Sequence, residues 1–404
     1  MYSAAYRETR CGESCMQRSS HVRQRFIVHI ALGIAIFLLV WTLRIALRQQ
    51  MLPINDFGAF WGATRLAFQQ HNPYDAEALL SLQMRLGWDK DFPLLVWNPP
   101  WLFVLLSPFA FLPFVAAQLI WVLVIALVLV SVTVLWLRVA KYEQNLLVPA
   151  ILVFFFPPTL MLLKQQQLTG FVLLGVTLFV VFVRRKRWKE AGSALLFLSL
   201  KPHLILPFAF LVMLWVLQKR RWGILLWGGV TASIVTLASY SIYPSVWNAY
   251  ITSALSAPPV YWRTPTFTTW LREIGGPERA ELLWVFPALS LLIAFVWWKR
   301  TTPWRWEEHT PLVLGLGVLG APYAWFADQV LLLPMLLYAI SYVRVLPPVQ
   351  QRWWIGGYVL WCVLYGTLLN VFQEPLLMTW FAPVFLAGYL VLSRLAKHHS
   401  PSQA

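Results

Sequence analysis

Four polar groups stand out of an oily chain because their types could act together: a carboxylate at Asp56, an amide run at Gln165, Gln166 and Gln167, an ammonium at Lys201 with an imidazole at His203, and a second carboxylate at Asp328. A carboxylate can take a proton, and an ammonium can offset the charge of a phosphate. Asp56 lies in Ile54-Asn55-Asp56-Phe57-Gly58 and opens the one sizeable polar stretch of the first half. An acid at a membrane edge is costly to hold, which makes it a candidate for function. Lys201 sits in an otherwise apolar connection, directly before Pro202, which points to phosphate binding with His203 as a second donor.

Each group also has a plainer reading. Lys164 can snorkel to the interface, the glutamines can cap helix ends, and Asp328 can cap the following helix or complement its dipole. Trp88, Trp97, Trp101 and Trp325 suit an interfacial belt as well as stacking on sugar rings. His71-Asn72-Pro73-Tyr74-Asp75 reads as a proline-led turn.

Composition sets the elements that must position these groups. Of 404 residues, 59% are hydrophobic and only 12% charged, with a mean hydropathy of +0.63, too little polar surface for a soluble globule. The apolar runs are continuous over roughly 15 to 25 residues, whereas barrel strands alternate over about 10, so an all-α polytopic membrane bundle is expected. The first run, Phe26 to Leu47, is too long for a signal-peptide core, follows Arg18, Arg23 and Arg25, and precedes no cleavage site; it is expected to be an uncleaved span.

Lys and Arg collect at 184–187, 219–221, 299–300, 344 with 352, and 394 with 397, and such clusters stay cytoplasmic. Further spans are then expected near 114–137, 146–163, 168–183, 188–201, 203–218, 222–243, 282–299, 310–321, 329–343, 353–370 and 376–393, about twelve in all. Pro99 to Pro113 reads as a short helix dipping into the outer leaflet, and Phe57 to Gln70 as an amphipathic juxtamembrane helix. A single transmembrane domain, 26–393, with outer loops near 48–98 and 244–281, is flanked by cytoplasmic tails at 1–25 and 394–404. The net charge of +16 follows from this asymmetry and from attraction to anionic lipid, not from nucleic acid. Cys11 and Cys15, with His21, are too few ligands for a metal site in a reducing compartment.

This threading brings Asp56, Lys164 to Gln167, Lys201 with His203, and the 321–329 segment to outer ends of spans, a convergence that suggests a site. No Walker loop, GxGxxG after a strand, HExxH or GxSxG element supports ATP, zinc or serine chemistry. A transporter or lipid flippase is the rival reading. Ionisable groups gathered at one face, rather than in mid-span, favour an enzyme.

In order, Asp56-Phe57, Asn72-Pro73-Tyr74-Asp75, Trp97-Asn98-Pro99-Pro100, Gln167, Lys201-Pro202-His203, and Ala321-Pro322-Tyr323-Ala324-Trp325 with Asp328-Gln329 resemble glycosyltransferase family 87, of the GT-C fold class. The resemblance runs from about residue 50 to 335, and departs from the family pattern at Gln166, where glycine is usual, and at Trp97, where tyrosine is. It implies an integral membrane hexosyltransferase or pentosyltransferase, mannosyltransferase-like, that uses a polyprenyl-phosphate sugar at the outer face of the plasma membrane and inverts the anomeric centre. By that resemblance Asp56 is the general base. Lys201, His203 and Lys164 would meet the donor phosphate, and Gln167, Tyr74, Trp97, Trp325 and Asp328 the sugar or a lipid or glycan acceptor. No cofactor is expected; Asp56 with Asp75 or Asp328 could offer oxygen to a divalent cation.

Overall fold

The computed structural model describes residues 54–142, 145–256, 262–276, 278–371 and 374–399. The expected first span Phe26 to Leu47, both terminal tails' outer residues, and Cys11, Cys15 and His21 lie outside the described residues. The larger compact unit, residues 54–142 with 149 onward, holds the candidate site. Every regular element described in it is helical.

Five described segments are long and apolar enough to cross a membrane: Phe114–Val139, Trp222–Ile242, Ala280–Arg300, Phe326–Arg344 and Pro375–His399. A sixth arises if Leu147–Phe154 and Pro157–Gln165, bent by 61° at the intervening break, are one span. About twelve were expected; the first of them lies outside the described residues, the run near 353–370 does form a long helix, Pro348–Val371 of 24 residues, and others fall short in rise. The runs near 168–183, 203–218 and 310–321 form helices of 16, 14 and 14 residues, at most about 24 Å long against a hydrocarbon core of about 30 Å. The run near 188–201 is a seven-residue helix, Trp188–Ala194, continued as a 3-10 segment, Leu195–Leu200.

Helix Asp56–Phe68 also differs from expectation. Ten of its thirteen residues are buried, on every side, so it is an internal helix and not an amphipathic one lying along an interface. Small residues make this possible. A side chain at Gly62 would come within 2.9 Å of Leu82, and one at Gly58 within 2.6 Å of Ile54, so neighbours approach the backbone closely. Phe57 is fully buried and stacks on Trp121 at 5.5 Å, while the Trp61 indole donates to the Phe109 carbonyl at 3.0 Å.

The Pro99 to Pro113 stretch contains the expected short helix, Trp101–Ala110, with Pro108 in its last turn. Lys201 is held in a bracket between 3-10 segments Leu195–Leu200 and Pro202–Leu204. Two glycines seat that bracket. A Cβ on Gly192 would run into the Ile224 carbonyl, and one on Gly317 into the Leu204 carbonyl. Gly315, Gly317 and Gly320 face different neighbours, Met335, Leu204 and Ser290, and so serve close packing around helix Trp306–Leu319 and its end, not a nucleotide loop.

Candidate active site

Asp56 is the first residue of its helix, where free backbone N–H groups favour a negative charge. Asn55 caps the helix by accepting from the Phe57 N–H at 3.1 Å, and its amide donates to the Lys164 carbonyl at 3.1 Å. That bond brings the end of helix Pro157–Gln165 beside the carboxylate. There Gln166 adopts a left-handed conformation, φ 57°, which stops the helix and turns the chain so that Gln167 points back. The Trp121 indole N–H, 3.1 Å from the Gln166 carbonyl, holds the turn.

Gln167 joins the two halves of the site. Its Nε2 donates to Asp56 Oδ2, and its Oε1 accepts from Lys201 Nζ at 2.7 Å. The amide can face only this way, because an ammonium has no lone pair to offer and an ionised carboxylate has no proton. Lys201 Nζ makes a second bond, 2.6 Å to Asp328 Oδ1, as a buried ion pair. Asp328 accepts further bonds from the Thr169 hydroxyl and, at 2.8 Å, from the Trp325 N–H. Asp328 closes the first turn of segment Phe326–Leu332 and at the same time pairs with Lys201.

The result is an alternating row, acid, amide, ammonium, acid, assembled from residues 56, 167, 201 and 328. Asp56 keeps a partly open face, yet most of its surroundings are protein. That desolvation pushes its carboxyl up to about 6; the Lys201 charge and the Gln167 bond oppose the rise, and the Asp328 charge adds to it. Below about pH 6 Asp56 is therefore protonated, and above it the carboxylate is free to accept a proton.

Beside the ion pair lies a cluster of half-exposed rings. His203 packs on Tyr323 with centroids 4.0 Å apart and the rings tilted by 33°, Tyr323 meets Trp262 at 5.5 Å, and Trp262 meets Trp325 at 6.0 Å and Trp97 at 5.4 Å. Trp97 and Trp325 were expected here. Tyr323 stands in a segment already singled out, whereas Trp262 belongs to no motif and Thr169 carries no signal beyond its nearness to Gln167.

The remaining candidates are placed differently. Tyr74 is buried against Phe103 and Tyr250, and its hydroxyl donates to the Asn98 carbonyl at 3.1 Å. Asn98 in turn donates to the Leu200 carbonyl at 2.8 Å, so Tyr74 stands behind Lys201 as a support. The Lys164 side chain is exposed. Asp75 caps helix Ala76–Arg85, accepting from Glu77 and Ala78 N–H groups at 2.9 and 3.1 Å. The sequence also holds an Asp-x-Asp triplet, Asp89-Lys90-Asp91, in an exposed loop, and among the described residues no three His, Cys, Asp or Glu side chains gather as a metal cluster would.

A helical membrane protein whose short segments end at a polar, partly buried acid–amide–ammonium row beside a cluster of tilted and edge-to-face aromatic rings is built as a membrane-embedded enzyme. The sequence profile of glycosyltransferase family 87 matches residues 97–334, more than half of the chain. The chain belongs to that family and is a membrane glycosyltransferase. Asp56 and the 72–75 turn precede the matched stretch, and their place in the site rests on the contacts above. No curated protein and no solved structure matches the chain.

Proposed function

We propose that this protein transfers a hexose or pentose from a polyprenyl-phosphate donor to an acceptor hydroxyl at the outer face of the plasma membrane, inverting the anomeric carbon. The acceptor oxygen attacks that carbon while Asp56 takes its proton. The bond from carbon to phosphate oxygen breaks, and polyprenyl phosphate leaves with the electron pair. Because the phosphate is a good leaving group, the site needs one base and an offset for charge, not an added acid. Lys201 spends two of its three N–H donors on Gln167 and Asp328 and keeps one for the phosphate; Lys164, exposed and one helix end away from Asp56, would serve as an outer cation for the same group. The faces of Trp97, Trp262, Tyr323 and Trp325 suit the apolar side of a sugar ring. In this reading Asp328 pairs with Lys201 and Asp75 caps its helix, and no step is routed through a metal or cofactor.

The expected threading is retained, with about twelve crossings and cytoplasmic termini, several crossings being made by short helices shielded by neighbours. The observation that carries the reading is the contact chain from Asp56 through Gln167 to Lys201, which ties a base to a cation across the place where a phosphate sugar would sit. A flippase has no use for a base so poised. The test is transfer by the purified protein in lipid nanodiscs from a panel of polyprenyl-phosphate hexoses and pentoses, with mass spectrometry of the products. Asp56→Asn is expected to abolish transfer with an unchanged unfolding midpoint. Full activity in that variant overturns the base assignment.

A further inference from the structure

We infer that Gln167 is a positioning residue which, clamped by Lys201, fixes the orientation and the ionisation of Asp56. The inference rests on Asp56 being the base proposed above, but its contacts stand independently of that role. The Lys201 ammonium holds Gln167 Oε1 at 2.7 Å, so the amide cannot flip, and Nε2 is left aimed at Asp56 Oδ2. Lys201 is itself fixed by the bond to Asp328 and by its bracket between two 3-10 segments. The backbone on the other side of the amide is equally set, by the left-handed turn at Gln166 and the Trp121 bond. A side chain pinned at both its root and its carbonyl is a rigid donor. It serves a partly open carboxylate whose rotation would otherwise be free.

Few other groups compete for control of Asp56. Lys201 and Asp328 are the charges that act on it, from segments 195–204 and 326–332. Helix Trp101–Ala110 carries no ionisable side chain, helix Phe114–Val139 has only Arg138, at its far end, and Glu77, Arg85 and Lys164 on the remaining neighbours are exposed. A bond from a neutral donor is stronger to the ionised carboxylate than to the carboxylic acid, so it favours ionisation of Asp56. Its loss is therefore read as an upward shift of the Asp56 titration.

The informative substitution is Gln167→Met, which keeps length and volume and offers no hydrogen bond. Two readouts separate this inference from the catalytic one. The first is infrared titration of the protein in nanodiscs, following the protonated-carboxyl band that is absent in Asp56→Asn. The second is the pH profile of transfer from the panel's best donor. Wild-type protein should titrate near 6; Gln167→Met should move the midpoint up by about one to two pH units. Gln167→Glu should move it further, since two carboxylates would then share one proton. At high pH the transfer rate of Gln167→Met should return towards the wild-type plateau. An infrared midpoint unmoved in Gln167→Met, with the rate reduced equally at all pH, overturns the inference and leaves Gln167 as a substrate contact. If Gln167→Met fails to fold, Gln167→Asn, too short to reach both partners, is titrated instead with the same expectation. An infrared shift in a protein whose Asp56→Asn variant still transfers sugar sinks the base assignment and leaves this inference standing.

Discussion

Replacing Lys201 by Met tests whether the centre of the site is held by charge. The Asp328 carboxylate is 1% exposed and accepts three bonds, of which the Lys201 ammonium supplies the only positive charge. Methionine keeps an unbranched side chain, one atom shorter, and removes that charge, leaving a buried acid uncompensated. Breaking a buried pair in this way costs about 3–5 kcal/mol. An unfolding entropy of about 2.1 cal/mol/K per residue over the whole chain converts this into a fall of about 4–6 °C in the unfolding midpoint. The double substitution Lys201→Met with Asp328→Asn should recover most of that fall, because asparagine still accepts from the Trp325 N–H and faces Thr169 without a charge. Neither variant should transfer sugar, since both lack the cation. The assay is intrinsic-fluorescence thermal unfolding in one detergent, alongside transfer in nanodiscs. A midpoint unmoved in Lys201→Met, or a double variant no more stable than the single, would refute the reasoning that the pair is both buried and coupled.

Two further substitutions test the backbone that carries the site. Gln166→Gly relieves a left-handed residue whose side-chain oxygen has no partner, so the midpoint should rise by up to about 1 °C, the worth of roughly 1 kcal/mol, with transfer unchanged; a clear loss of stability would mean the side chain matters. Gly317→Ala drives a Cβ into the Leu204 carbonyl and should cost about 1–3 kcal/mol, with transfer falling more than the midpoint suggests because Leu204 closes the turn after Lys201. Gly229→Ala, where a Cβ meets nothing within 4 Å, is the control, and equal behaviour of the two in thermal unfolding would reject the crowding argument.

Much of the site was legible because its members are polar residues in an apolar chain. Asp56, Gln167, Lys201 and Asp328 stood out by type alone, and the structure joins them in one row. Their pairing was not legible, since nothing in the sequence says that Lys201 spends bonds on Asp328 and Gln167 before meeting any ligand. Trp262 was hidden for the opposite reason: among 24 tryptophans, one more in a connecting segment has no distinguishing mark. The burial of the helix from Asp56 to Phe68 was not legible, because an aromatic and alanine-rich stretch suits an interface as well as an interior, and only its neighbours show that Gly58, Ala59, Gly62 and Ala63, at four-residue spacing, let them close in on all sides. Nor does an apolar run fix the length of a helix, because a run can be apolar throughout and still be divided, as at Ala194 and Leu195, between a short helix and a 3-10 segment.

The chain of bonds from Tyr74 to Asn98 to the Leu200 carbonyl has a consequence for how such proteins can be recombined. It runs through three stretches distant in sequence, and each hydrogen bond is made by a side chain of one to the backbone of the next. A chimera that exchanges the 72–75 turn, the 97–100 element or the 199–201 segment singly would leave one link facing a stranger's backbone. Grafting all three from one parent preserves the scaffold under Lys201, so these stretches are best treated as one inherited module when specificity is swapped between relatives.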